Sequence, residues 1–351
     1  MIKYLGSKRR LVAQLGALAE ASGAATALDL FTGTTRVAQE FCRRGAFVTA
    51  VDTASYSEVL AQCYVATPAQ EIDPAEVAEE LARLAALPDR RGYVTEVFAE
   101  RARYFHPSNA LRIDAIREGI DLFYPEGPLR PILLTALLEA ADAVDSTVGV
   151  QMAYLKQWAP RALRPLRLRA PVLTPGGGRA VRGDAARVVG ELPAVDLAYL
   201  DPPYNQHRYF NNYHVWETLV RWDAPDHYGV ACKRLDAQDD ANRSAFNSKR
   251  TMPSALAEVI ARVRADVVVV SFSNEGFLPI EELEEMLAVR GQPVEVLAFD
   301  TRRYIGSVIG VYSPGGVKVG AERHHRNVEY LLVSAPEAML ATLVGAVEDA
   351  G

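Results

Sequence analysis

Apolar runs and segments with helical spacing alternate in the first part of the chain. The run TALDLF (26–31) is typical of a buried strand, and TTRVAQEFCRRG after it has helical spacing that ends at Gly45. AFVTAVD (46–52) predicts a second strand that ends in an acid, and SEVLAQCYVA predicts the helix after it. Strand, helix, strand and helix with short connections predict an α/β protein with a parallel sheet covered on both faces.

The pattern changes in the middle of the chain. From about Asp73 to Asp145, segments such as PAEVAEELARLAAL and LRPILLTALLEAADAV place apolar residues three and four positions apart, with no strand candidate between them. We therefore expect a mainly helical insertion at 67–179, which divides the α/β domain into the segments 1–66 and 180–351.

The α/β pattern resumes after this insertion. Further apolar runs predict strands at 194–200, 265–273, 293–300 and 327–334. The glycine-rich, partly basic segment GSVIGVYSPGGVKVGAERHHR lies between the last two runs and is typical of a mobile loop or a hairpin.

The composition is that of a globular protein, with 49% hydrophobic and 23% charged residues. No apolar run approaches the roughly 18 residues of a membrane span, and MIKYLGSKRR lacks the apolar stretch of a signal peptide, so we expect a cytoplasmic protein. Cys42, Cys63 and Cys232 lie far apart and form no ligand cluster with histidines, so we expect no metal site.

Three motifs follow predicted strands: DLFTGTT, AVD and YLDPPY. In open α/β sheets, ligands bind beyond the carboxyl ends of the strands, so we expect these motifs to form one site. Gly33 allows the backbone to approach a ligand, and Asp52 follows Asp29 at the interval where dinucleotide-binding folds place an acid that binds ribose. The glycine motif is incomplete because Thr35 replaces a second glycine, and alone it is equally typical of an ordinary turn.

The segment Asp201-Pro202-Pro203-Tyr204 is the strongest indication of chemistry. Each proline fixes its own φ and restricts the residue before it, so this segment is a stiff, non-helical hook. Because proline donates no hydrogen bond, the Asp201 carboxylate and the Pro202 carbonyl are free to accept bonds from a planar NH2 group. The Tyr204 ring can stack on the plane of such a ligand. The structural alternative is a proline turn that ends a core strand.

These motifs, in this order, resemble those of adenine-specific DNA methyltransferases of the Dam type. KYLGSKRRL is similar to the opening lysine motif of that family, although it could also be a basic tail. LDLFTGTT is similar to the cofactor loop, and GD at Gly183 and Asp184 to the motif near the cofactor adenine. The segments DPPYNQHRYFNNYHVWETL and RRYIGSVIGVYSPGGVKVG are similar to type IIS-associated and phage-like adenine methylases.

The resemblance implies a Rossmann-like fold with a mostly parallel seven-stranded sheet, S-adenosylmethionine as the methyl donor and no metal. The implied catalytic residues are Asp201, Pro202, Pro203 and Tyr204. The implied cofactor-binding residues are Tyr4, Lys8, Asp29, Phe31, Gly33, Thr34, Asp52, Asp184 and Asp201. Because the loop has a single glycine, either Thr34 or Thr35 could contact the methionine moiety.

The resemblance also implies double-stranded DNA as the partner, with the target adenine flipped out of the helix and stacked on Tyr204. A companion restriction endonuclease is a further partner that it suggests. At a net charge of −6, DNA affinity must come from local basic patches, at residues 3–10, at 154–169, at Lys249 with Arg250 and at Arg323 with Arg326. The expected DNA-binding residues are Arg161, Arg164, Arg167, Arg208 and Asn212.

The helical insertion with its arginine run is the candidate target-recognition region, and a packed lid with solvated arginines is the alternative. Residues after the hook, His207, Arg208, Tyr209, Asn211, Asn212 and Tyr213, could shape the pocket, hold phosphates or be structural. His324 and His325 are better explained as loop residues than as metal ligands.

Other functions stay open at this point. A proline-rich hook can bind any planar NH2 acceptor, so cytosine N4, an RNA base or a protein amide is a possible methyl acceptor. The leading lysine motif and the Asp before the prolines favour adenine in DNA. A DNA-binding regulator without turnover is a further alternative, against which the intact Lys8, Asp52, Asp201 and Tyr204 argue.

Overall fold

The computed structural model describes residues 2–6, 8–152, 155–239, 242–302 and 326–351. Its strands are β1 (Thr26–Leu30), β2 (Phe47–Asp52), β3 (Gly178–Arg182), β4 (Val195–Leu200), β5 (His227–Tyr228), β6 (Lys233–Arg234), β7 (Ala265–Ser273), β8 (Val294–Arg302) and β9 (Arg326–Ser334).

The α-helices are α1 (Val12–Ser22), α2 (Arg36–Arg43), α3 (Ser55–Tyr64), α4 (Pro74–Ala85), α5 (Pro107–Phe123), α6 (Leu129–Ala143), α7 (Ala185–Val188), α8 (Tyr209–Asn212), α9 (His214–Arg221), α10 (Met252–Arg262), α11 (Ile280–Ala288) and α12 (Glu337–Asp349). A π-helix covers Val94–Arg101, and short 3-10 helices cover Ala69–Glu71, Pro160–Leu163, Leu235–Gln238 and Ala245–Asn247.

The central sheet has seven strands in the order β3-β2-β1-β4-β7-β9-β8. The pairs from β3 through β7 are parallel, and β9 is antiparallel to both of its neighbours, β7 and β8. The predicted mostly parallel, Rossmann-like α/β sheet is therefore confirmed. Strand order reverses between β1 and β4, and this is where an open α/β sheet forms its ligand crevice.

The central strands are apolar along their whole length because helices cover both faces of the sheet. Along β4 and β7, Leu197, Tyr199, Val267 and Val269 belong to one core cluster, together with apolar residues of α1, α2, α3 and α12. The alternate residues, among them Leu200, belong to a second cluster with α7, α10 and α11. This period of two places successive side chains on opposite faces of the sheet.

The middle of the chain is mainly helical, as its apolar spacing predicts, and contains α4, the π-helix, α5 and α6. These helices share a core with the sheet, since Ile113, Leu133 and Leu137 belong to the same cluster as Leu197. Strand β3 begins at Gly178, just before residue 180, and no apolar run predicts it. The division into two domain segments and an insertion stays a prediction.

Among the described residues, no helix combines the length and the apolar character that crossing a membrane requires. The described residues also contain no group of three or more His, Cys, Asp or Glu side chains that could hold a metal ion.

Asp114 connects α5 to the start of the π-helix. Its side chain is fully buried and accepts hydrogen bonds from the backbone N–H groups of Gly92, Val94 and Thr95 at 3.0, 2.9 and 2.8 Å, and from the Thr95 hydroxyl at 2.6 Å. A buried donor that loses its acceptor costs about 1–3 kcal/mol. The carboxylate of Asp114 therefore fixes the geometry of this segment.

We expect Asp114→Ala to lower the free energy of unfolding by on the order of 3 kcal/mol, because several backbone donors lose their common acceptor. Chemical denaturation measures this change. The control is Glu118→Ala on the same helix, where the carboxylate is exposed and lies 3.6 Å from Arg90. The control should cost less than about 1 kcal/mol. Equal losses in the two variants would contradict this role of Asp114.

Candidate active site

Three acids lie at or beyond the carboxyl ends of neighbouring parallel strands: Asp29 in β1, Asp52 at the end of β2 and Asp201 after β4. They line two adjoining cavities. The residues that line the first include Tyr4, Lys8, Phe31, Asp52, Asp184, Asp201, Pro202, Pro203, Tyr204 and Arg208. Those that line the second include Tyr4, Lys8, Asp29, Phe31, Gly33, Thr34, Arg36 and Asp201. The structure thus brings the sequence-predicted catalytic and cofactor-binding residues together.

The loop after β1 has an unusual backbone. Phe31, Gly33 and Thr35 have φ values of 72°, 52° and 62°, in the left-handed region that favours glycine. The Gly33 N–H donates to Asp52 Oδ2 at 2.9 Å, and a Cβ at this position would lie 2.9 Å from Cε1 of Tyr4. Glycine is therefore required at position 33 for two reasons, its positive φ and its close approach to Tyr4.

The two threonines of this loop differ in their surroundings. Thr34 lines the second cavity, whereas Thr35 is not among its lining residues. Thr35 is fully buried, and its hydroxyl accepts a hydrogen bond from Gln39 Nε2 at 2.9 Å. Of the two candidates for a ligand contact, Thr34 is the one at the cavity wall.

Asp29 is a buried carboxyl group with an unused oxygen. Its Oδ2 accepts from the Thr32 hydroxyl at 2.7 Å and from the Ala38 N–H at 3.1 Å. Its Oδ1 is buried and has no hydrogen-bond partner among the described residues. Burial raises the pKa of Asp29 to about 7, although the bond from Thr32 opposes this shift. A cationic or N–H ligand at Oδ1 would stabilise its ionised form.

Asp52 is held by backbone donors. Its Oδ1 accepts from the Ala54 N–H at 3.0 Å and its Oδ2 from Gly33. Burial raises the pKa of Asp52, and these N–H groups oppose the rise. Asp184 caps α7 by accepting from the Ala186 N–H at 3.0 Å, and the neighbouring Gly183 N–H donates to the Asp52 carbonyl at 2.9 Å.

A buried ammonium joins the N-terminal segment to the hook. Lys8 Nζ lies 3.0 Å from Asp201 Oδ1 and 3.2 Å from Glu329 Oε2, and the Lys8 side chain is only 4% exposed. Burial alone would lower the pKa of Lys8, but Asp201 and Glu329 hold it well above its usual value. Burial raises the pKa of Asp201, and Lys8 opposes that rise. Lys8 is therefore a charged group between two carboxylates.

Ser271 of β7 also contacts this cluster. Its hydroxyl donates to Asp201 Oδ1 at 2.8 Å and lies 2.8 Å from the Tyr199 hydroxyl, which can donate to it in turn. The described contacts of the Asp201 carboxylate are thus all made by Oδ1. Sequence reasoning missed Ser271 and Glu329. The only local signal for Ser271 is the change from valines to serines at the end of β7.

The Tyr204 ring lies at the wall of the first cavity. Its centroid is 5.6 Å from Lys8 Nζ and 5.6 Å from the centroid of the Phe272 ring. The Tyr204 carbonyl accepts from the Phe277 N–H at 2.9 Å. Segment 242–247, which the sequence did not indicate, adds Asn242, Ser244, Phe246 and Asn247 to the wall of this cavity.

Tyr4 belongs to a cluster of stacked tyrosines. Its ring lies 4.7 Å from that of Tyr213, at an interplanar angle of 19°, and 5.2 Å from that of Tyr209, at 27°. Tyr213 is fully buried, and its hydroxyl accepts from the Leu5 N–H at 2.6 Å. Tyr213 therefore holds the N-terminal segment in place through Tyr4 and Leu5. Tyr209 and Arg208 line the first cavity.

The remaining residues after the hook differ in exposure. Asn212 is buried, at 4% exposure, and its backbone carbonyl accepts from the Gln151 N–H at 2.8 Å. His207 is exposed, and its carbonyl accepts from Asn247 Nδ2 at 2.9 Å.

Within the arginine run 154–169, most of the described residues, 155–169, are exposed. Arg164, Arg167 and Arg169 are exposed. Arg161 differs, since its guanidinium donates to Asp145 Oδ1 at 2.8 Å and to the Thr147 carbonyl at 2.6 Å. Among the other predicted basic patches, Lys249 and Arg250 are exposed. Arg323, His324 and His325 lie outside the described residues, as does the loop before them.

Comparison with known proteins identifies a family and several relatives. The family model of the D12 class N6 adenine-specific DNA methyltransferases matches residues 4–286. The modification methylase LlaI of Lactococcus lactis subsp. lactis is 28% identical over 337 residues, which cover 86% of this chain and 51% of that protein.

Two further relatives have related names. The type II methyltransferase M.NlaIII of Neisseria lactamica is 29% identical over 286 residues, which cover 79% of this chain and 83% of that protein. The type II methyltransferase M.FokI of Planomicrobium okeanokoites is 32% identical over 196 residues, which cover 54% of this chain and 30% of that protein. The matched region thus spans about half the length of LlaI and about a third of the length of M.FokI.

We expect Lys8→Gln to raise the pKa of Asp201 further, because the positive charge that opposes the effect of burial is removed. A pH titration of the aspartate carboxyl carbons by nuclear magnetic resonance, with the Asp201 signal assigned from Asp201→Asn, measures this shift. Lys3→Gln is the control, since Lys3 Nζ lies 3.1 Å from Asp142 and 3.1 Å from Asp145 instead. An Asp201 titration that is the same in Lys8→Gln and in the parent protein would disprove the coupling.

Proposed function

Because the chain belongs to the D12 class N6 adenine-specific DNA methyltransferases, we propose that it transfers a methyl group from S-adenosylmethionine to N6 of adenine in double-stranded DNA. One observation carries the proposal. The hook Asp201-Pro202-Pro203-Tyr204 lies at the switch point of the sheet. All four of its residues line the cavity that Asp52 lines, and Asp201 also lines the cavity that contains Asp29.

The residues around the two cavities fit S-adenosylmethionine. The Asp52 carboxylate can accept from the ribose hydroxyls, because each of its oxygens has a lone pair beyond the one that a backbone N–H uses. Phe31 and Phe246, with ring centroids 4.9 Å apart, form an apolar wall for a base. Asp29 Oδ1 offers a buried acceptor without a partner among the described residues. When bound, S-adenosylmethionine would supply the electrophilic methyl group.

The hook activates the acceptor. The N6 lone pair of adenine is delocalised into the ring, so the amino group is a poor nucleophile. Asp201 and the Pro202 carbonyl accept hydrogen bonds from the N6 amino group and localise the lone pair on nitrogen. These bonds strengthen as positive charge develops on N6, which stabilises the transition state. After methyl transfer, the proton passes to water or to Asp201.

Lys8 and Ser271 orient the catalytic carboxylate. Both contact Oδ1 of Asp201, at 3.0 and 2.8 Å, and so leave Oδ2 for the amino group of the base. Lys8 also favours the ionised form of Asp201 in a buried environment. Hydrogen bonds to an ionised acceptor are about twice as strong as those to a neutral acceptor. An ionised Asp201 therefore stabilises the transition state more than a protonated one would.

An adenine within a duplex cannot reach the hook, so we propose that the base is flipped out and stacks on Tyr204. Flipping costs a few kcal/mol, and stacking on an aromatic ring returns about 1–3 kcal/mol per base. Arg208 is exposed at the rim of the same cavity and is placed to contact a neighbouring phosphate.

The segment 67–179 is our candidate for target recognition. Its exposed Arg164, Arg167 and Arg169 supply positive charge that the chain as a whole, with a net charge of −6, lacks. Phosphate contacts from such residues supply non-specific affinity, and base contacts supply specificity. The names of the relatives suggest a modification enzyme, which would act in the cytoplasm with a companion restriction endonuclease.

Purified protein, incubated with labelled S-adenosylmethionine and unmethylated genomic DNA, should place the label in N6-methyladenine after digestion to nucleosides. We expect Asp201→Ala to reduce this incorporation at least about a hundredfold, because an acceptor for the developing charge is lost, while DNA binding is retained. Asp196→Asn, at the opposite end of β4, is the control and should stay active. Label found only in cytosine, RNA or protein would refute the proposed reaction.

For the DNA interface, we expect replacement of Arg164, Arg167 and Arg169 by Gln to weaken DNA binding and to reduce its salt dependence. The slope of log K against log salt should fall by roughly 0.9 for each phosphate that the variant no longer neutralises. The control replaces three arginines that are already paired with glutamates by Gln. These are Arg83, Arg90 and Arg91, at 3.5, 3.6 and 3.4 Å from the carboxylates. Fluorescence anisotropy at several salt concentrations measures both effects. An unchanged slope in the first variant would exclude this stretch from the interface.

A further inference from the structure

We propose that Arg36 binds the carboxylate group of the methionine part of S-adenosylmethionine. This inference rests on the proposed function and extends it to a residue that the motifs of the chain do not indicate. Arg36 is the first residue of α2, directly after the loop with Gly33, and its side chain lines the second cavity.

The guanidinium of Arg36 has an unsatisfied donor. Its Nε is buried and has no hydrogen-bond partner among the described residues. By contrast, the guanidinium of the buried Arg234 is paired with Asp223 at 2.6 Å and with Asp236 at 2.7 Å. A buried N–H group without an acceptor is costly, so the site favours a ligand that brings one.

The desolvation of Arg36 favours a bound anion, although the charges around it are of both signs. Burial lowers the pKa of Arg36, and the neighbouring cation of Arg9 lowers it as well, whereas Glu139 and Tyr64 act in the opposite direction. The Glu139 carboxylate accepts a hydrogen bond from the Tyr64 hydroxyl at 2.5 Å. A carboxylate ligand would offset the desolvation of the guanidinium and its repulsion from Arg9, and it matches the fork of N–H donors.

The same cavity holds the complementary charge. Asp29 lines the same cavity as Arg36, is 1% exposed, and has an Oδ1 without a hydrogen-bond partner among the described residues. A buried acid and a guanidinium with an unsatisfied Nε–H group, in one small cavity, match the ammonium and the carboxylate of an amino-acid zwitterion. The methionine end of S-adenosylmethionine is such a zwitterion.

The two cavities adjoin, so one S-adenosylmethionine molecule can extend from the first into the second. Tyr4, Lys8, Phe31 and Asp201 line both cavities. A ligand with its ribose at Asp52 in the first cavity and its amino-acid end at Arg36 in the second would pass Asp201. The sulfonium centre lies between these two parts of the molecule. Its methyl group would therefore be delivered beside the hook that binds the amino group.

The test compares two ligands by isothermal titration calorimetry. S-adenosylhomocysteine carries the amino-acid zwitterion, and 5′-methylthioadenosine has the same nucleoside without it. We expect Arg36→Gln to weaken S-adenosylhomocysteine about 10- to 100-fold, the range for a lost charged hydrogen bond, and to leave 5′-methylthioadenosine unchanged. Arg36→Lys, which keeps the charge without the fork, should give an intermediate affinity for S-adenosylhomocysteine.

Arg43→Gln is the matched control, since Arg43 is the last residue of the same helix and lies 3.2 Å from Glu40. It should change the affinity for neither ligand. An equal loss for both ligands in Arg36→Gln, or no loss for either, would overturn the role of Arg36. If Arg36→Gln does not fold, the same comparison in Arg36→Lys decides the question. Failure of the parent protein to bind either ligand would instead refute the proposed function, and this inference with it.

Discussion

The buried ammonium of Lys8, held between Asp201 and Glu329, is the interaction on which the rest of the site depends. A charge with 4% exposure is tolerated only where opposite charges compensate its desolvation. The N-terminal segment, the end of β4 and strand β9 must therefore meet at one point, although they are far apart along the chain. Once they meet, the hook is fixed in place, and Asp201 has one oxygen committed to the protein and another available to a ligand.

The N-terminal segment also connects the site to the helical middle of the chain. Lys3 pairs with Asp142 and Asp145 near the end of α6, and Asp145 in turn accepts from Arg161 at the start of the arginine run. The next residue, Tyr4, packs against Gly33 and stacks on Tyr209 and Tyr213. The N-terminal segment thus contacts the helical middle of the chain through Lys3 and contacts Asp201 through Lys8, so it connects these two parts of the protein.

Local patterns predicted the strands of the central sheet except β3, whose sequence GRAVR is short and carries two arginines. The site residues at strand ends were also predictable, because parallel strands bring their carboxyl ends to one edge of a sheet. Ser271 and Glu329 were not, since their position beside Asp201 follows from β7 and β9 being neighbours, which no local pattern indicates. The surroundings of Arg161 and Asn212 were not predictable either, because the pairing of Arg161 with Asp145 and the burial of Asn212 follow from tertiary packing.

The place of β9 in the sheet has a consequence for the synthesis of the protein. Strands β7 and β8 leave the ribosome before β9, yet they are not neighbours, and β9 must insert between them. Until it does, β7 is an edge strand with the exposed run VVVV, which is prone to pair with other chains. Glu329 also arrives with β9, so the compensation of Lys8 is completed late. The edge of β7 therefore stays open to pairing with other chains until β9, which carries Glu329, has been translated.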